Sequence, residues 1–353
     1  MAIKNLNSKV VEFLAWAIAF GAISVLPTCD KPFEPVGVLK DYPAYFFDLI
    51  SNDSNWYFVY HPTANTIDSI YLPYASLPIV SADGKKLYIQ DSGATSVAVL
   101  ETDSFTVIDR LPYEAVLSVS PDNQLIFARK NGMNLLKTSD YSVIYQDSRI
   151  GDGRFSKNSK RLYGLSNTGR VIHRIEISDS VFESAQFNTP FGVVRDLEPS
   201  KDESKLLLYL VTTFGDYFAV HDIALDSIIF LEAQQPGYGE MEITPNGRYV
   251  FYTDPGQGML GIGGPGWISV YDVACNRVLT RITTEGVLDP PNQLGLPINE
   301  INITPDGRWL VALTDYFTSP GTIFTVDIKR LAVVKHTRIG NGNLQGLTVQ
   351  NEP

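Results

Sequence analysis

The segment TPDGRWLVA (304–312) decides the fold. It opens on a hydroxyl residue, passes through Pro-Asp-Gly, and continues as an apolar strand. Proline presets φ for such a turn and glycine or asparagine accepts φ > 0, so the turn chemistry explains the residue types. Five other segments align with it: SADGKKLYI (81–89), SPDNQLIFA (120–128), SKNSKRLYG (156–164), SKDESKLLL (200–208) and TPNGRYVFY (244–252). A seventh copy, GLTVQNEP (346–353), stops at its turn.

With the hydroxyl residue (Gln350 in the last copy) as anchor, successive copies lie 39, 36, 44, 44, 60 and 46 residues apart. That period suits a unit of about four strands, the size of a propeller blade. The segment FDLISNDSNWYFVYHPTANTI (47–67) aligns with LYIQDSGATSVAVLETDSFTV (87–107), so the first unit holds a second, third and fourth strand but no first. The last unit supplies a first strand alone. Joining them closes a ring and removes exposed sheet edges. The sequence therefore predicts an all-β, seven-bladed β-propeller with four-stranded antiparallel blades, closed by a split blade that joins the C-terminal strand to the three N-terminal ones. Residues 45–353 form this one monomeric domain.

Composition agrees. The 353 residues are 44% apolar and 19% charged, with 18 Tyr, 18 Phe, 27 Gly and 21 Pro, which is the material of strands and turns rather than of a disordered chain. A net charge of −11 argues against nucleic acid, whose phosphates reward basic faces. Two cysteines and four histidines exclude a disulfide framework or zinc scaffold.

The units resemble the YVTN family of β-propeller repeats, which are WD-like in size. The likeness rests on the hydroxyl-Pro-Asp-Gly turn and on third strands ending in an aspartate turn, as in ISVYDVACNRVLTRI (268–282) and IFTVDIKRLAVV (323–334). It covers roughly 45–350 and implies a fold more than a function, because such propellers serve as binding platforms, enzyme subunits and lactone hydrolases.

Residues 1–29 read as an address. Lys4 and Lys9 precede an apolar run from Val10 to Leu26, the pattern of a secretory signal peptide. The run is also at the lower length limit of a spanning anchor helix. Leu26-Pro27-Thr28-Cys29 resembles a bacterial lipobox, which implies lipidation at Cys29. Residues 30–44, rich in proline, then form a tether to a body in the periplasm or at the cell surface. A Cys29–Cys275 disulfide competes with lipidation, and a free thiol at Cys275 is the favoured reading of that residue.

On this strand order, the loops between second and third strands share a face with those leading into the next first strand. The longest fall in blade 6, around 253–267 and 283–300, with 314–321 of blade 7 beside them. Asp254, Met259, Trp267 and Tyr316 are the candidate ligand or partner contacts there. The 253–267 glycines lack the Lys-Ser/Thr ending of a phosphate loop.

Four places before each anchor stand Leu77, Val116, Asp152, Asp196, Glu240, Glu300 and Gly346. Four consecutive blades thus put a carboxylate on one rung near the channel mouth, and Glu198 and Glu242 add two more on the rung two residues further along. This departs from the small residue the YVTN pattern carries there. Oxygen ligands suit a hard cation, so Asp152, Asp196, Glu240 and Glu300 are the candidate metal ligands, with Ca²⁺ as the ion. The competing reading makes them partners of inter-blade amides, of Arg154 and of Arg195. No serine-hydrolase elbow, haem-attachment or zinc-protease motif occurs.

Three functions follow. The leading one is a non-catalytic, membrane-tethered propeller binding another extracytoplasmic protein or an extended ligand on the blade 6–7 face. The others are a metal-assisted, lactonase-like hydrolase at the channel mouth, and a non-redox subunit of a periplasmic dehydrogenase.

Overall fold

The computed structural model describes residues 40–48, 56–72, 78–91, 95–178, 182–188, 192–234, 239–254, 266–283, 298–314, 321–339 and 344–350. Cys29, Met259 and Tyr316 lie outside them, as does the side chain of Asp254. The described residues form seven four-stranded antiparallel sheets and no helix. Blade 1 combines Leu344–Val349 with Ala44–Asp48, Trp56–His61 and Thr66–Tyr71. Blade 2 runs from Pro78–Val80 to Val107–Leu111, blade 3 from Ala115–Val119 to Val143–Asp147, and blade 4 from Ile150–Phe155 to Phe182–Asn188. Blade 5 runs from Val193–Pro199 to Ser227–Gln234, blade 6 from Met241–Ile243 to Arg277–Thr283, and blade 7 from Ile298–Ile303 to Ala332–Ile339. The split blade is as the sequence predicts, with Ala44 opposite Val349 and Tyr45 opposite Thr348.

The repeated turn folds the way its residues dictate. Each anchor hydroxyl is buried and bonds the side chain two residues on, as in Ser81 to Asp83 at 2.6 Å, Ser120 to Asp122 at 2.6 Å and Thr304 to Asp306 at 2.6 Å. It also accepts the amide that starts the second strand, such as Trp309 N at 3.0 Å. The third residue after the anchor is left-handed in all six turns: Gly84, Asn123, Ser159, Glu203, Gly247 and Gly307. Glu203 is the costly one, because a long L side chain resists φ of 55°. Its carboxylate repays the strain by clamping blade 4, taking hydrogen bonds from Arg161 Nη1 at 2.8 Å and Tyr163 Oη at 3.2 Å.

Seven apolar clusters, one per blade interface, replace a single core. The cluster that closes the ring packs Val311, Leu313 and Ile323 of blade 7 on Ala44, Phe46, Tyr60 and Leu344 of blade 1. At about 25 cal/mol per Å² of apolar surface removed from water, such interfaces supply most of the drive for closure.

Because first strands all run the same way, every second-to-third loop and every inter-blade connection emerges on one face. The longest connections, 255–266 and 284–297, leave blade 6 there. The chain itself arrives on the opposite face. Asp41 Oδ2 bonds His61 Nδ1 at 2.6 Å and its Oδ1 accepts Thr63 N at 3.0 Å, while Pro43 O accepts Gln350 N at 2.8 Å. Residues 40–43, assigned to the tether by sequence, are thus docked on blade 1.

Candidate functional site

The acidic rung is positioned by backbone irregularity. In blades 4, 5 and 7 the first strand changes register directly before the carboxylate, between Ile150 and Asp152, Val194 and Asp196, and Ile298 and Glu300. A bulge of this kind re-aims the next side chain and takes an amide out of the ladder. The carboxylates meet amides at this level. Asp152 Oδ1 accepts its own neighbour's Gly153 N at 2.7 Å, and Asp196 Oδ1 accepts Leu197 N at 2.9 Å. The glutamates, one methylene longer, reach the next blade. Glu240 Oε2 accepts Ile301 N of blade 7 at 3.2 Å. Glu300 Oε1 accepts Gly346 N at 2.9 Å, and Glu300 Oε2 accepts Leu347 N, both on the closing strand of blade 1. Gly153, Leu197, Ile301 and Leu347 occupy the same position relative to their anchors. The rung therefore supplies one recurring backbone amide with a carboxylate, from its own blade or the one before.

Gly346 stands on the same rung in blade 1, where its amide faces Glu300. Its φ is +73°, and a Cβ would lie 2.6 Å from Phe47 Cε1 and 2.7 Å from Pro78 Cδ, so the position requires glycine.

Charge along the channel is uneven. Arg154 Nη2 lies 3.5 Å from Asp196 Oδ1, and Lys157 Nζ lies 2.8 Å from Glu198 Oε1, so blade 4 supplies the cations that face the blade 5 acids. Burial opposes the charge on Arg154 and on Lys157, yet both are held above their ordinary pKa, Arg154 chiefly by Asp196 and Asp152 and Lys157 by Glu198. Burial pushes Asp196 up to about 6 against the pull of Arg154. Glu242 is pushed up to about 8 by burial and then by the Glu198 carboxylate, with Lys157 and Arg154 opposing. Glu240 is held well above the usual carboxylate range by burial and by Glu300 and Asp196. The blade 6 acids thus keep protons that ordinary surface acids release.

The structure brings Asp152, Asp196, Glu240 and Glu300 to one rung, as expected, and binds each to a backbone amide. Among the described residues no group of three or more His, Cys, Asp or Glu side chains is arranged to hold a metal ion. The four histidines stay in separate blades. His61 meets Asp41, and His221 Nε2 lies 3.1 Å from Asp226 Oδ1. Cys275 is a correction: it is disulfide-bonded rather than a free thiol.

Trp267 starts the third strand of blade 6, where the long excursion returns, paired in register with Asp254. Arg281 lies over its ring at 5.0 Å and bonds Glu232 of blade 5 at 2.9 Å. Glu232 also accepts the Tyr252 hydroxyl, so the base of the excursion is braced across two blades.

Three exposed aromatics escaped the sequence reading. Phe214, 91% exposed, tips the second-to-third hairpin of blade 5. Its amide is fixed to Thr212 Oγ1 at 3.0 Å, and Thr212 Oγ1 donates to Gly215 O at 2.9 Å, so the exposure is built on a tight turn. Trp56 and Tyr71 are cross-strand partners in blade 1 with ring centroids 5.9 Å apart. Both sit at strand ends on the face of the long connections, as Phe214 does. The exposed large aliphatics go elsewhere: Val107, Ile108, Val143, Leu231 and Val334 lie on outermost strands and Leu225 on the opposite face.

No protein-family model matches the chain, and no curated protein is similar to it in sequence. Solved structures do resemble it. A putative 6-phosphogluconolactonase from Bacteroides fragilis aligns at TM-score 0.60 and 14% identity, covering 89% of this chain and 100% of that one. The hydrazine synthase of Kuenenia stuttgartiensis gives 0.58 and 16%, over 76% of this chain and 89% of that one. The dihydro-haem d1 dehydrogenase NirN in complex with DHE gives 0.53 and 14%, over 92% and 78%. At these identities the likeness defines a class by architecture: this chain is a seven-bladed β-propeller.

Proposed function

We propose that the protein is an extracytoplasmic, membrane-tethered YVTN-type propeller that binds another protein or an extended ligand on the face of the long blade 6 and 7 connections. The observation that carries this is the placement of the aromatics. Phe214, Trp56 and Tyr71 flank blades 6 and 7 on one face, and exposed aromatics on rigid backbone are what partners use as anchors. The docking of residues 40–43 on the other face supports the same orientation, since a tether arriving there turns the aromatic face away from the membrane.

The test is capture of partners by the exported full chain, its 255–266 deletion, and a variant carrying Phe214→Ala, Trp56→Ala and Tyr71→Ala. Partners recovered by the intact protein should be lost from both variants while their melting curves keep a single cooperative transition. Equal recovery by all three forms refutes the reading.

The lactonase-like alternative draws on the fold shared with the putative 6-phosphogluconolactonase, and the dehydrogenase-subunit alternative on that shared with NirN. The amide contacts of the carboxylates offered as Ca²⁺ ligands weigh against the lactonase-like reading alone. Elemental analysis of protein purified without chelator, giving stoichiometric Ca²⁺, would remove that objection.

A further inference from the structure

The second-to-third hairpins of blades 3 and 4 and the connections beside them make one continuous ridge on the face of the long connections. Gly132, in the blade 3 hairpin, lies so close to residues 148–149, which link blades 3 and 4, that a Cβ on it would stand 2.5 Å from Ser148 Cα. That link carries the blade 4 hairpin in turn, with Asn167 N donating to Arg149 O at 3.0 Å and Asn167 Nδ2 to Ser148 O at 2.9 Å. The same hairpin holds the first strand of blade 5, since Val194 N donates to Gly169 O at 2.8 Å. Arg195 is the next residue, set out of register by the bulge between Val194 and Asp196.

Each step of this ridge carries a cation: Arg129 and Lys130, then Arg149, Arg170 and Arg195. Arg129 is half-buried and the other four are exposed. The whole chain has a net charge of −11, so the ridge runs against the overall balance. The acids beside it are paired within it. Glu114 Oε2 lies 3.6 Å from Arg129 Nε, and the buried Asp147 takes Arg149 Nε at 2.9 Å and Nη2 at 2.6 Å, which fixes that guanidinium while leaving it at the surface. Asp152 and Asp196 lie inward of the ridge, at the channel mouth. At its blade 5 end Val193 pairs with Val211, and the hairpin that follows Val211 presents the ring of Phe214.

We infer that the ridge docks an acidic, extended polypeptide segment of the partner, with an apolar side chain of that segment at the Phe214 end. This rests on the proposed function and names the chemistry of its partner. Four of the five cations are arginines, whose planar forks take carboxylates in pairs. Backbone hydrogen bonds from link to hairpin hold them in place, so little ordering is left to be done on binding. A uniform polyanion such as a sulfated glycan suits the surface less well, because it lays charge against Asp152, Asp196 and the negative body of the protein. A peptide places its carboxylates only where the cations stand.

The experiment titrates the full exported chain, by fluorescence anisotropy, with a labelled Glu-rich peptide carrying one Phe, with the same peptide having Gln for every Glu, and with a labelled heparin fragment. The Glu peptide should bind about tenfold or more tightly than the Gln peptide, and its affinity should fall steeply as salt rises from about 50 to about 300 mM. A variant carrying Lys130→Glu, Arg170→Glu and Arg195→Glu should lose about tenfold or more for the Glu peptide. If its melting curve shifts, the variant with Gln at the same three positions takes its place, and the salt dependence of the wild type gives a reading that needs no substitution. Absent binding, equal binding of the two peptides, equal binding by wild type and variant, or tighter binding of heparin overturns the inference. Each of these leaves the proposed function standing, because its capture test turns on the aromatics and on 255–266. Unchanged capture by the forms altered there, with the peptide results as expected, refutes that function and leaves the acidic specificity of the ridge.

Discussion

Replacing Glu300 by alanine should weaken ring closure more than any other change on the acidic rung. Its two oxygens take the amides of Gly346 and Leu347, which belong to the strand that completes blade 1. Hydrogen bonds to an ionised group contribute about 1.5–3 kcal/mol each, and a stranded amide costs about 1–3 kcal/mol. The Glu300 side of the strand still touches the channel, so water can recover part of this, and the net loss should be about 2–4 kcal/mol. Glu300→Gln keeps one acceptor and should lose roughly half as much. Glu300→Asp is the sharper test. Asp152 and Asp196 show that the shorter side chain serves its own blade, so the aspartate variant should behave nearly like the alanine variant despite keeping its charge. Urea unfolding, with the slope checked for constancy, measures all three. An aspartate variant as stable as wild type, or an alanine variant within about 0.5 kcal/mol of it, would show that the carboxylate does not hold the closing strand.

Stability should fall as pH rises from about 5 to about 8. Glu242 is raised to about 8 and Asp196 to about 6, so the folded state binds more protons than the unfolded state in that window and loses ground as they leave. Glu242→Gln should flatten the slope in urea melts between the two pH values, and an unchanged slope would assign the titration elsewhere. Gly346→Ala should cost about 2 kcal/mol or more in the same assay, since a Cβ meets Phe47 and Pro78 in a left-handed backbone, and a neutral result would contradict the geometry. Phe214→Ala should leave the urea midpoint within about 0.5 kcal/mol while weakening partner affinity about tenfold or more by titration calorimetry; a stability loss without an affinity loss would make the ring a packing residue.

The sequence was informative where local chemistry repeats. Hydroxyl, Pro, Asp and Gly at fixed offsets specify a turn, and the copies count the blades without any long-range information. The rung of carboxylates was legible for the same reason, being an offset from that turn. What they do was not, because a bulge is a backbone event decided by the packing of neighbouring blades. Nothing in the letters around Asp196 or Glu300 separates a bulged strand from a regular one. Phe214 went unread for a different cause: TTFG (212–215) looks like an ordinary tight hairpin, and nothing in those letters says that its ring is left 91% exposed. Ser159 and Glu203 show the limit of composition rules, since both take the left-handed turn position that glycine or asparagine fills elsewhere.

The split blade also has a consequence in time. Ala44–Asp48 waits for Leu344–Val349 while the six intervening blades are made, and until then its inner ladder is an unpaired edge beside an unfilled gap. Six blades can stack while the last interface stays open, exposing Ala44, Phe46 and Tyr60 to any strand that passes. The slow, vulnerable step of maturation is therefore the arrival of the closing strand. A propeller lacking only the Leu344–Val349 strand would behave as an aggregation-prone intermediate, a substrate for holding chaperones rather than a slightly smaller propeller.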